Sequence, residues 1–133
     1  MSYKKILYKK KLLAEIIYSG TNVETTKFFS NKKSSFQIGL FAHDKGFEEA
    51  PHYHKKIKRK ISDTQQVLFV QRGEVEIYFH NKIKRIVKKV RVKKGDAIKI
   101  VSGIHSLKVL KKTQCLTIKQ GPFISDKLDK VDV

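Results

Sequence analysis

Branched and aromatic residues recur along the chain in short segments that Gly, Asn, Asp and Ser interrupt. Segments of this kind are typical of β-strands joined by tight turns. The alternation is clearest between Glu74 and Phe79, where Val75, Ile77 and Phe79 would share one face of a strand. The predicted strands are Lys5 to Tyr8, Leu12 to Tyr18, Ser35 to Ala42, Ala50 to His54, Gln66 to Gln71, Glu74 to His80, Ile86 to Val92, Ala97 to Val101, Ser106 to Leu110 and Cys115 to Lys119.

Turn signals separate these segments and set the fold class. Arg72-Gly73, the Asn81-Lys82 region and Lys94-Gly95-Asp96 all carry turn-forming residues. Many short strands with tight connections favour a sandwich or barrel over alternating strands and helices. The 133 residues contain no linker or internal repeat. The sequence therefore predicts one all-β domain spanning residues 1–133.

The apolar runs and the cysteine content indicate the compartment in which we expect the protein. No apolar run approaches the roughly 20 residues of a membrane helix, and Glu15 interrupts the short apolar stretch near the start. The single cysteine, Cys115, excludes an internal disulfide framework. We expect a reducing, cytoplasmic setting and no membrane span.

The formal net charge of +18 is compatible with a polyanionic partner. The excess is lysine, since Arg occurs only at 59, 72, 85 and 91, whereas readers of phosphates and bases usually rely on Arg. The dense basic run from Lys55 to Lys60 resembles a nucleic-acid patch, but a solvated loop or strand edge is the preferred interpretation. Nucleic acid is thus the less favoured partner, and an acidic or phosphorylated small molecule remains open.

Two histidines one residue apart are the first candidate ligands. On a strand, His52 and His54 would project from the same face and could chelate a divalent metal. His105 has the parity of Leu107 and Val109, an apolar face expected to point into the core. A buried His in that position needs a partner, which a metal or a polar cavity would supply.

The spacing of these residues resembles the cupin family. Gly46, His52-Tyr53-His54, Gln66 and Gly73 resemble the first cupin motif, and Gly95-Asp96, Val101, Gly103 and His105 resemble the second. The resemblance covers roughly residues 25–124. It implies a jelly-roll β-barrel in which His52, His54, His105 and Gln66 hold a divalent metal such as Fe, Mn, Ni or Zn. Cupins also pair commonly, so the resemblance implies a homodimer.

Further segments are similar to small stand-alone cupins encoded in bacterial loci for surface-polysaccharide biosynthesis. They are Phe36 to Gly39, Thr64 to Val70 and Lys119 to Phe123. The implied ligand is a sugar or sugar nucleotide, on which an isomerase- or epimerase-like enzyme would act with metal as a Lewis acid. The residues identify no general acid or base, so whether the chain is an enzyme stays open.

Departures from the family pattern keep a second interpretation open. Gln66 stands where cupins carry glutamate, and a neutral amide is a weaker ligand than a carboxylate. Val101 and Val109 replace the usual proline and asparagine. The alternative is a metal-free pocket in which the histidines bind ligand directly. Glu48 and Glu49 could hydrogen-bond and orient an imidazole, but solvated residues in a turn are the preferred interpretation. His43 and His80 are predicted to be ordinary surface residues.

Overall fold

The computed structural model describes residues 2–133 and is mostly β, with 45% of residues in strands and 3% in helix. The all-β prediction is confirmed. The elements are β1 (Tyr3–Tyr8), β2 (Lys11–Ile17), β3 (Lys27–Phe28), β4 (Gly39–Leu40), β5 (Gln66–His80), β6 (Ile86–Lys93), β7 (Ala97–Ile100), β8 (Ile104–Lys119) and α1 (Asp126–Asp129).

Six strands form one antiparallel sheet: five follow the order β1-β2-β7-β5-β6, and the sixth, β8, pairs with β5. The long β5 strand pairs with β7 through its first residues and with β6 from Glu74 to His80. Its other edge pairs with β8 along nearly its whole length. The sheet is strongly curled and forms a half-barrel. A complete jelly-roll barrel stays a prediction.

The predicted break at Arg72-Gly73 is wrong in detail, because β5 runs through it as one strand. The register with β8 shifts on both sides of Arg72, as in β-bulges. Gly73 has a φ of +93°, and a Cβ at this position would overlap the carbonyl oxygen of Lys112. The glycine therefore bends a continuous strand instead of ending it. The strands predicted from Ser106 to Leu110 and from Cys115 to Lys119 are likewise one strand, β8, which stays paired with β5 across the register shifts.

The core lies on the inner face of this curled sheet. Ile16, Ile98, Ile77, Phe79 and Val92 are each buried, and they come from β2, β7, β5 and β6. The predicted alternation of Val75, Ile77 and Phe79 is confirmed, since all three side chains join this core. One strand thus contributes a row of branched and aromatic side chains that holds neighbouring strands together.

A charged pair lies buried in the same sheet. Lys99 Nζ is 2.9 Å from Glu15 Oε1, and the two side chains are only 0% and 1% exposed. Register places them directly opposite each other on β7 and β2. The Tyr3 hydroxyl donates a hydrogen bond of 2.7 Å to Glu15 Oε2. Burial and the neighbouring carboxylate raise the pKa of Tyr3, so the phenol stays protonated and keeps donating.

By its internal contacts the chain divides into two compact units, residues 22–63 and the remainder. Within 22–63 the regular structure is the two-residue pair β3 and β4. Side chains supply further backbone partners: Thr26 Oγ1 accepts from Ala42 N, and Ser30 Oγ accepts from Ile38 N. The predicted strand from Ser35 to Ala42 is therefore reduced to Gly39–Leu40.

Candidate functional site

His52 and His54 lie in an exposed loop, since residues 41–65 contain no strand. The predicted strand from Ala50 to His54 is wrong; Pro51 lacks the backbone donor that a strand interior needs, and a charged run follows. The two imidazole rings are nevertheless neighbours, with centroids 5.3 Å apart and planes inclined by 67°. Their separation by a single residue keeps the pair together without a strand.

The His52 ring is held from one side. Its Nδ1 lies 3.0 Å from Glu49 Oε1 and 3.0 Å from the carbonyl oxygen of Ala50. A carbonyl oxygen only accepts, so Nδ1 carries the proton and donates. The neutral ring then presents Nε2 as its lone-pair nitrogen, which is the arrangement commonly found in metal-binding histidines. Glu49 is 56% exposed, in keeping with the preferred interpretation of a solvated residue, and it nevertheless contacts the ring.

His105 lies at the start of β8, opposite Phe79 in the register. Its ring centroid is 6.5 Å from that of Phe79. The expectation of a buried imidazole is wrong, because His105 is exposed. Its Nδ1 is 3.2 Å from the carbonyl oxygen of Gly103. The proton is therefore again on Nδ1, and Nε2 is again the nitrogen able to bind a ligand or metal.

Gln66 begins β5 and is half-buried. Its Nε2 donates a 2.8 Å hydrogen bond to Thr117 Oγ1, which fixes the amide and leaves Oε1 as its acceptor. Gln66 pairs with Lys119, whereas His105 pairs with Phe79, so these two candidates lie at opposite ends of the β5–β8 ladder. Within residues 2–133, no three His, Cys, Asp or Glu side chains cluster as a metal site would require. The four-ligand set stays a prediction.

The inner face of β8 is apolar and open. Leu107 and Val109 are 51% and 53% exposed, although their cross-strand partners Ile77 and Val75 are 0% and 3% exposed. Directly paired residues share a face of the sheet. The buried core therefore continues sideways into an uncovered apolar strip, which begins beside His105.

The outer face of the same strands is charged. Glu76 accepts hydrogen bonds from the Tyr78 hydroxyl and from Arg91 Nη2, the latter at 3.3 Å. The hydrogen bond from Tyr78 is the main cause that lowers the pKa of Glu76, with Arg91 and Lys89 acting in the same direction. The same bond raises the pKa of Tyr78. This cluster was not predicted from the sequence, although Glu74, Glu76 and Tyr78 have the period-2 spacing of one strand face.

A cleft of about 600 Å³ borders that outer face. Its lining includes Tyr18, Ser19, Arg91, Lys93 and Asp96. Asp96 accepts hydrogen bonds from the backbone N–H groups of Ser19 and Lys93 at 2.8 and 2.9 Å, so it holds together the two segments that line the cleft. Both carboxylate oxygens are used in this way, and the role of Asp96 is structural.

A second missed contact joins His80 and Ser106. His80 Nε2 is 2.7 Å from Ser106 Oγ, and the register places the two residues two pairs apart on the same face of β5 and β8. The prediction that His80 is an ordinary surface residue omitted this pairing. Strand alternation could have suggested it only if the pairing of these two segments had been known.

No protein-family profile, curated protein or solved structure matches the chain. The helical structure within residues 2–133 includes no segment long and apolar enough to cross a membrane.

Proposed function

We propose that the protein is a small, cupin-like binding protein that holds a divalent metal through His52 and His54 and takes a sugar or sugar nucleotide as ligand. The observation that supports the metal is the His52 ring, whose Nδ1 proton is held by Ala50 and Glu49. The His54 ring lies beside it at 5.3 Å. Two neighbouring imidazoles with one ring already oriented are a suitable start for a metal site.

His105 and Gln66 are the further ligands that the motifs imply. Their hydrogen bonds are compatible with this role, because each leaves a lone-pair atom for a ligand: Nε2 in His105 and Oε1 in Gln66. A bound metal would supply Lewis-acid polarisation of a substrate oxygen. Binding, orientation and exclusion of water would fall to the chain's own side chains.

The open inner strip of β8 supports the small-molecule part of the proposal. Leu107 and Val109 present apolar surface that the core does not fill. Ligand sites commonly combine such surface with a few polar groups, and His105 supplies one at the end of the strip. Lysines elsewhere on the chain suit the charge of a sugar nucleotide. A metal-free pocket of the same kind is the second candidate.

The first experiment measures metal content per chain in protein purified without an affinity tag or chelator. The variants are His52→Ala and His54→Ala, with His43→Ala as the matched control because it changes a histidine of the same unit. We expect near-stoichiometric metal in the wild type and the control, and at least tenfold less in both test variants. Wild-type protein that lacks metal and does not regain it from Fe, Mn, Ni or Zn overturns the metal proposal.

Calorimetric titration with a nucleoside-diphosphate sugar then separates the two candidates. Binding that a chelator abolishes supports a metal-dependent site, whereas binding that a chelator leaves unchanged supports the metal-free pocket. Leu107→Asp places a charge on the β8 strip and is expected to weaken either kind of binding at least tenfold. Unchanged affinity in that variant contradicts the location.

A further inference from the structure

His80 and Ser106 form an oriented pair on the outer face of the sheet, away from the inner strip of β8. His80 Nε2 and Ser106 Oγ are 2.7 Å apart. On the other side of the ring, Nδ1 lies 3.2 Å from the carbonyl oxygen of Lys84. Because that oxygen only accepts, Nδ1 carries the proton in the neutral ring and Nε2 accepts from the serine hydroxyl.

The turn that follows β5 holds this carbonyl in place. Asn81 Oδ1 accepts from the backbone N–H groups of Ile83 and Arg85 at 3.1 and 3.0 Å. Lys84 N in turn donates to the Asn81 carbonyl at 2.9 Å. The turn thus fixes the position of the Lys84 carbonyl oxygen. Because this oxygen accepts the Nδ1 proton, the lone pair of His80 Nε2 points at Ser106.

We propose that Ser106 and His80 form a nucleophile–base pair that cleaves small carboxylic esters with short acyl groups. The arrangement has the three parts that an activated serine requires: a nucleophile, a base in hydrogen-bond reach, and a third group that orients the base. Here the third group is the Lys84 carbonyl. This proposal does not depend on the metal or on the sugar ligand.

In the first half of the reaction, Ser106 Oγ attacks the ester carbonyl carbon and its proton passes to His80 Nε2. The bond to the alcohol oxygen breaks, and the proton on Nε2 transfers to the departing alkoxide. Water then attacks the acyl-serine, gives one proton to Nε2, and the serine oxygen leaves and takes that proton back. The products are an alcohol and a carboxylic acid, and the enzyme is regenerated without any further reagent.

We infer the substrate class from the neighbouring side chains. Register places Ile86 and Ile104 directly opposite His80 on its two neighbouring strands, so all three share one face. Ile86 is 56% exposed and offers a small apolar surface to a short acyl chain. Lys89 lies in the same cross-strand row as Tyr78 and Ser106. Its Nζ lies 4.0 Å from Glu76 Oε2, and turned toward Ser106 it would supply positive charge for the oxyanion that forms during attack.

The test uses the full chain, with p-nitrophenyl acetate as substrate and a fluorophosphonate as covalent probe. We expect Ser106→Ala and His80→Gln each to lower kcat/KM about 10²-fold or more, the usual scale of general-base catalysis. His43→Gln and Ser102→Ala are matched controls elsewhere on the chain and should retain the wild-type rate. Circular dichroism establishes that each variant is folded.

The covalent probe distinguishes this pair from general surface reactivity. We expect one phosphonate on the peptide containing Ser106 and none in the His80→Gln variant. A Ser106→Ala variant that is as active as the wild type overturns the proposal. So does labelling that occurs elsewhere, or that is independent of His80.

Discussion

The two compact units of the chain contrast in how their residues are held. In the unit formed by residues 2–21 and 64–133, long strands exchange backbone hydrogen bonds and enclose a core built on residues such as Ile77. In residues 22–63, the strands are two residues long and several aromatic side chains remain exposed. The His52–His54 pair belongs to this second unit. The two candidate metal ligands therefore lie outside the unit that contains the buried core.

Removing one partner of the buried ion pair is expected to change the free energy of unfolding more than any other substitution considered. Lys99→Met leaves the Glu15 carboxylate buried beside an apolar side chain and should lower the free energy of unfolding by about 3–5 kcal/mol. Lys58→Met makes the same change in the exposed run of residues 22–63 and should alter it by less than about 0.5 kcal/mol. Urea unfolding monitored by circular dichroism measures both.

A double variant keeps this prediction testable if Lys99→Met does not fold. Glu15→Leu with Lys99→Met removes both charges and should recover part of the lost stability, since an apolar pair of similar volume can replace a buried ion pair, whereas the Tyr3 hydroxyl loses its acceptor. Equal stability of Lys99→Met and wild type would show that the pair contributes nothing.

Truncation of an apolar side chain gives the next effect. Ile77→Ala removes a fully buried side chain from the core and should cost about 2–5 kcal/mol. Phe41→Ala removes a larger side chain that is 72% exposed, and should cost less than about 1 kcal/mol. Thermal unfolding of the two variants compares them directly. Similar losses in both would mean that residues 22–63 contribute to stability as the core does.

The same contrast explains which parts of the fold the sequence could predict. Strand alternation is strong where one face is buried, so the strands around Ile77, Val92 and Ile98 were predicted close to their observed positions. In residues 22–63 no such face exists: the signal from Ser35 to Ala42 came from β-forming residues alone, and only Gly39–Leu40 is paired. Propensity without a partner strand does not make a strand.

The site was less predictable because it depends on pairing. Spacing in the sequence brought His52 and His54 together correctly, since they are one residue apart. The spacing did not indicate that Gln66 and His105 lie at opposite ends of the β5–β8 ladder. It also did not indicate the contact between His80 and Ser106. Each of those relations is set by register, which depends on bulges such as that at Gly73.

The smallest expected effect is the contribution of Glu76, on the outer face of the sheet, to the pH dependence of stability. The hydrogen bond from Tyr78, with Arg91 and Lys89, lowers the pKa of Glu76 below its ordinary value of 4.5. The native state therefore holds this proton less tightly than the unfolded state does. The resulting stabilisation is present above about pH 4.5 and is lost as the pH falls through the lowered pKa.

Glu76→Gln removes this titration, so the variant should lose less stability than the wild type between pH 7 and pH 3. Tyr78→Phe removes the main cause of the shift and should act in the same direction. Glu48→Gln, an exposed change in residues 22–63, should follow the wild-type curve. Urea midpoints at the two pH values measure all four proteins. A Glu76→Gln curve parallel to that of the wild type would show that acid sensitivity arises from other carboxylates, and the contrast between the units would then not extend to their surface charges.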